Sequence, residues 1–84
     1  MTPQELLTLV READPKDDAA FQRIIAQAFA LGIITYSTAA HRFGTSRTSI
    51  EHWRLGTHAP HPAMRNSVYL WVRDEITKAV ESPV

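Results

Sequence analysis

From residue 46 to residue 58 the chain reads Ser-Arg-Thr-Ser-Ile-Glu-His-Trp-Arg-Leu-Gly-Thr-His. These side chains make directional hydrogen bonds and charge pairs. At helical spacing Ile50 and Trp53 are three residues apart and share one face. Arg47, Thr48, Glu51, His52 and Leu55 then fall on the opposite face or its flanks. A helix built that way packs one side on a neighbour and offers the other to a groove. The Arg47 guanidinium matches O6 and N7 of a guanine, and Thr48 suits a thymine methyl or a base edge. His52, one turn beyond Thr48, can donate to a base acceptor. Glu51 can accept from cytosine N4 or pair with Arg47 at i, i+4. Arg47, Thr48 and His52 are therefore the candidate base contacts.

Other chemistry is poorly provided for. The sequence offers no nucleophile–base pair, no phosphate-cradling loop and no paired carboxylates, so an enzyme is not expected. There is no cysteine. His58-x-x-His61 with His52 has zinc-like spacing, but lacks thiolates and a supporting carboxylate cluster. Neither a metal nor another cofactor is expected, nor is a small-molecule substrate.

The elements that must position these residues are helical. Thr2-Pro3-Gln4-Glu5 reads as a capping box with proline at the first helical position. The first helix should span about residues 3–13, because Pro15 disfavours a helical Asp14. Asp17 or Asp18 caps a second helix that ends near Leu31, before Gly32. Thr35 caps a third, Tyr36 to about Phe43, which Gly44 ends. Ser46 caps a fourth, Arg47 to about Arg54, which Gly56 ends. The stretch 57–62 is a loop whose second proline opens a fifth helix of about residues 63–80, capped near His61. Residues 81–84 should fray. Ala40, four residues before Gly44, is small enough to let the third and fourth helices cross closely. Phe29, Ile25, Ala40, Phe43, Ile50, Trp53 and Val68 are the expected core.

The segment Thr35 to Pro62 resembles the DNA-binding domain of the lambda-repressor-like, Xre/Cro-type family. The resemblance runs through Ala39-Ala40, then Phe43-Gly44-Thr45-Ser46-Arg47-Thr48-Ser49-Ile50, then Trp53, Gly56 and Ala59-Pro60. In that family a small or apolar pair precedes the glycine of the turn, a serine caps the recognition helix, and Ile then Trp anchor it. The family more often has leucine at Ala39, an aliphatic residue at Thr45 and glutamine at Tyr36. The helix before residue 15 is an addition to its common core. The resemblance implies an all-α fold, a compact bundle of five helices containing a helix-turn-helix at about residues 36–54. It also implies a sequence-specific regulator of transcription, a repressor, that binds double-stranded DNA. Such proteins are bacterial or phage-encoded and cytoplasmic.

On that reading Tyr36 and Arg42, on the third helix, approach the DNA backbone. Ser46 caps the fourth helix, whose N-terminus favours a phosphate. Ser49 binds a phosphate or faces the helix junction. Arg54, Thr57 and His58, with His61 and Arg65, line a second phosphate track. An adaptor or antitoxin-like protein-interaction module on the same fold is the alternative.

Charge is compatible with a nucleic-acid partner locally, though not globally. The 84 residues carry nine basic and nine acidic side chains. Residues 33–65 nevertheless hold Arg42, Arg47, Arg54 and Arg65 against Glu51 alone, with all four histidines. Only the contacting face must be positive. Histidine protonation there would raise affinity for DNA as pH falls. The start, MTPQELL, lacks a basic flank with a long apolar run, so neither a secretion signal nor a membrane partner is expected.

The fifth helix contains Val68-Tyr69-Leu70-Trp71-Val72, more apolar bulk than one face holds. Met64, Val68, Trp71 and Glu75 share one stripe; Tyr69, Val72, Ile76 and Val80 share another. The second stripe is expected to join two copies into a homodimer, which suits a near-palindromic operator. The alternative is that the added first helix covers it within one chain.

Overall fold

In the computed structural model, which describes residues 1–81, the chain forms α1 (Pro3–Glu12), α2 (Asp18–Ala30), α3 (Tyr36–Phe43), α4 (Arg47–Leu55) and α5 (Pro62–Glu81). No strand occurs among the described residues. The expected fraying of 81–84 lies outside them, except for Glu81, which closes α5. The Cα radius of gyration is 11.8 Å, as a compact domain of this length requires.

The helix ends follow local chemistry. The N–H of Glu5 donates to Thr2 Oγ1 (3.1 Å), and the N–H of Thr2 donates back to Glu5 Oε1 (3.1 Å). This reciprocal cap holds the Glu5 carboxyl below its ordinary range, because a carboxylate accepts those hydrogen bonds better than a carboxylic acid does. Asp17, rather than Asp18, caps α2 by accepting from the N–H of Ala20. Thr35 caps α3, and Thr38 completes the box from its side chain. At the start of α5 the N–H of Ala63 donates to His61 Nδ1. Gly44 and Gly56 close α3 and α4 in the left-handed region, at φ 61° and 81°. A Cβ on Gly56 would also come within 2.9 Å of Gln22 Cγ.

One apolar core joins the five helices. Phe21, Ile24, Ile25 and Ala28 of α2 are buried against Leu6 and Val10 of α1, Ile50 and Trp53 of α4, and Val68, Tyr69, Val72 and Ile76 of α5. Ile34 and Ala39 complete it from the 31–35 connection and α3. The small residue buried in α3 is therefore Ala39, one position before the expected Ala40. Ala40 is half-buried, and its carbonyl instead accepts the N–H groups of Gly44 and Thr45. Phe29 and Phe43 pack at the edge of the core rather than in it.

The α5 stripe proposed for pairing is corrected by this packing. Tyr69, Val72 and Ile76 are buried within the single chain, and α1 lies along α5. An apolar stripe already removed from water by α1 has nothing left to gain from a second copy. Val80 alone of that stripe stays exposed.

Arg65 is also corrected. Expected near phosphates, it is 5% exposed and serves the fold. Its Nε donates to the carbonyl of Pro60 (2.8 Å), and its Nη1 donates to the carbonyl of Pro15 (2.9 Å). The same Nη1 lies 2.7 Å from Asp18 Oδ1, and the guanidinium covers the Phe21 ring. One side chain thus ties the 13–17 turn and the 56–61 loop to α5. Arg65→Ala should cost about 3 kcal/mol in urea denaturation, because it strands two carbonyl acceptors and empties a buried volume. Asp18→Asn should cost less than about 1 kcal/mol, since that carboxylate is largely solvated.

Candidate nucleic-acid interface

The orientation of α4 is set from three sides. Ile50 and Trp53 are buried, and the Trp53 ring meets Phe21 edge-on with centroids 6.0 Å apart. The Phe43 ring of α3 also packs on Trp53, with centroids 6.0 Å apart. At the C-terminal end Gln22 Nε2 donates to the carbonyl of Arg54 (2.8 Å), fastening α4 to α2. At the N-terminal end the N–H of Ser49 donates to Ser46 Oγ (3.1 Å). Both ends and the inner face are held, so the outer face has a fixed direction.

Arg47, Thr48, Glu51 and Leu55 are exposed along that outer face, and His52 is half-buried beside them. The spacing separates two flanks. Arg47 and Arg54, seven apart, both turn toward Tyr36 of α3. The Arg47 guanidinium lies over the Tyr36 ring at 5.1 Å, and Arg54 Nε donates to Tyr36 Oη at 2.6 Å. Tyr36 stacks in turn on Phe29 of α2, with centroids 4.7 Å apart. Thr48, His52 and Leu55 form the other flank. The His52 ring stacks on His58 at 5.2 Å, and the carbonyl of His52 accepts the N–H of Gly56 and of Thr57.

The residues named from sequence thus take different positions. Arg47, Thr48 and His52 share one helix and reach the surface together. Tyr36 and Arg54 join Arg47 in a single cluster, linking the starts of α3 and α4 to the end of α4. Arg42 is exposed at the far end of α3, over the Phe43 ring. Ser46 and Ser49 share a hydrogen bond between their hydroxyls (3.0 Å), so Ser49 faces the helix start. Thr57 and His58 are exposed just past α4. Among the described residues Arg47 makes no ion pair with Glu51; its partner is the Tyr36 ring. With Arg65 withdrawn into the fold, Arg42, Arg47 and Arg54 supply the positive charge of this face.

No local feature of the sequence announces the Tyr36–Arg54 bond. Residues 36 and 54 are far apart along the chain, and no local periodicity pairs them. In the sequence the two are only an aromatic and a cation at the ends of neighbouring helices. That pairing becomes visible only when the crossing of α3 and α4 is known. Comparison with protein-family models, with curated proteins and with solved structures gave no match.

Tyr36→Phe keeps the ring between Phe29 and Arg47 and removes the acceptor of Arg54. It should lower stability by about 1 kcal/mol, the usual worth of a partly buried hydrogen bond. The effect should vanish when Arg54 is already glutamine, which a double-mutant cycle by urea denaturation would read directly.

Proposed function

We propose that α3, the turn at 44–46 and α4 act as a helix-turn-helix that reads double-stranded DNA, with α4 in the major groove. The observation that carries this reading is the contrast between the two sides of α4. Ile50 and Trp53 are buried, whereas Arg47, Thr48, Glu51 and Leu55 are exposed with His52 beside them. A short helix capped at both ends and anchored on one side can enter a major groove without rearranging its neighbours.

Each group has a role in that reading. Arg47 grips a guanine edge, pre-oriented by the Tyr36 ring beneath it. Thr48 and His52 contact neighbouring bases, and Glu51 accepts from a cytosine amine. Tyr36, Arg54 and Arg42 meet phosphates, helped by the N-terminus of α4 at Ser46 and by Thr57 and His58 past its end. Ser49 supports Ser46 at that N-terminus.

The biological role that fits is sequence-specific regulation of transcription, as a repressor in a bacterial or phage cytoplasm. Two copies on a near-palindromic operator would double the few positive charges that one chain brings. Tyr69, Val72 and Ile76 cannot supply the pairing surface.

A protein-interaction role is favoured by one observation, the exposed Leu55 on the same face. Salt separates the two readings. Duplex binding should weaken with added salt, with a log–log slope of about −2 to −3 per chain, as released counterions require. Arg47→Ala should weaken binding about 5- to 100-fold and relax preference at one base pair. Lys78→Ala, on the remote end of α5, should change neither. Duplex affinity that does not respond to salt or to Arg47→Ala would transfer the face to a protein partner.

A further inference from the structure

A concave site lies between the end of α1, the 13–17 turn and the first half of α5. Its volume is about 390 Å³, and none of its lining residues belongs to α3 or α4. Val10, Ala13, Pro15, Tyr69 and Leu70 make most of it apolar, and Asn66, Arg11 and Arg73 give it polar edges. Such a volume falls in the range that small ligands occupy.

Three features of this cleft agree on one kind of occupant. The first is charge. Arg11 and Arg73 both line the cleft, no carboxylate does, and neither arginine has an ionic partner among the described residues. The second is the Tyr69 hydroxyl. Tyr69 is 5% exposed, and its hydroxyl is buried with no hydrogen-bond partner among the described residues. A buried hydroxyl left that way costs free energy that an incoming acceptor recovers. Burial pushes its pKa up despite the nearby Arg65 cation, so it stays protonated and keeps a proton to donate. The third is Leu70, 61% exposed at the cleft edge, where an apolar ligand body would cover it. The acids nearest in effect, Asp14 and Asp17, already accept backbone N–H groups from Lys16 and Ala20.

We propose that this cleft binds a small organic carboxylate with a compact apolar body. The carboxylate sits between Arg11 and Arg73, and the body lies on Val10, Ala13, Pro15 and Leu70. The Tyr69 hydroxyl is the third donor to that head group, beside the two guanidiniums. The inference does not depend on DNA binding by α4.

The probe is benzoate, followed by amide chemical shifts of the full chain, with acetate and benzyl alcohol as the head group and the body alone. Benzoate should produce saturable shifts confined to residues 10–17 and 66–73, with a Kd of about 1 mM or tighter. Acetate and benzyl alcohol should each bind at least about 10-fold more weakly, because each satisfies only half the site. Tyr69→Phe should weaken benzoate about 5-fold or more while leaving the fold as stable or more so, since it removes the orphaned hydroxyl. Arg73→Gln should weaken it similarly without affecting benzyl alcohol. Non-saturating shifts, benzyl alcohol binding as well as benzoate, or undiminished binding by Tyr69→Phe would each overturn the proposal.

Discussion

The burial of Phe21 is the contact on which the rest of this structure depends. Its ring is fully buried on α2 and meets Trp53 of α4 and both Tyr69 and Arg65 of α5. Trp53 meets it edge-on and fixes the inner face of α4. Tyr69 lies against it from α5, with centroids 5.9 Å apart, and the Arg65 guanidinium covers it at 5.4 Å. Aromatic pairs of this geometry add specific orientation to their burial. The direction in which α4 faces is therefore set by a residue that no solvent or partner reaches.

A small domain with few core residues must use each of them more than once. Arg65 shows how. A cation inside a fold of this size is costly unless its donors are filled. Here two carbonyls, a carboxylate and an aromatic face fill them, and the two proline-containing loops are held in return. The same economy explains α1. The apolar bulk of α5 exceeds what α2 and α4 can cover, and α1 supplies the missing surface within one chain. An added helix and an overloaded neighbour are two views of one packing solution.

The five helices were legible because their ends are written locally. Thr2 with Glu5, Thr35, Ser46, Gly44 and Gly56 each act within a few residues of themselves, and the observed boundaries fall within a residue or so of those expected. The side of α4 that faces inward was legible for the same reason, since Ile50 and Trp53 follow helical spacing. What could not be read was tertiary. Val80 and Ile76 share a stripe by periodicity, yet only Ile76 is buried. Arg65 looks like any surface arginine until the Pro15 and Pro60 carbonyls are brought to it. Tyr36 and Arg54 are joined only by the crossing of α3 and α4, and only the packing of α1 along α5 gathers Arg11, Tyr69 and Arg73 in one cleft.

The exposed side of α4, with the Tyr36 cluster beside it, is the face proposed to meet DNA. The most direct test of that proposal is a map of amide chemical shifts as a duplex carrying a selected binding site is added. The largest changes should fall at residues 35–37 and 46–58, while α1 and the second half of α5 stay unchanged. Changes centred on α1 or α5, with α4 silent, would contradict it.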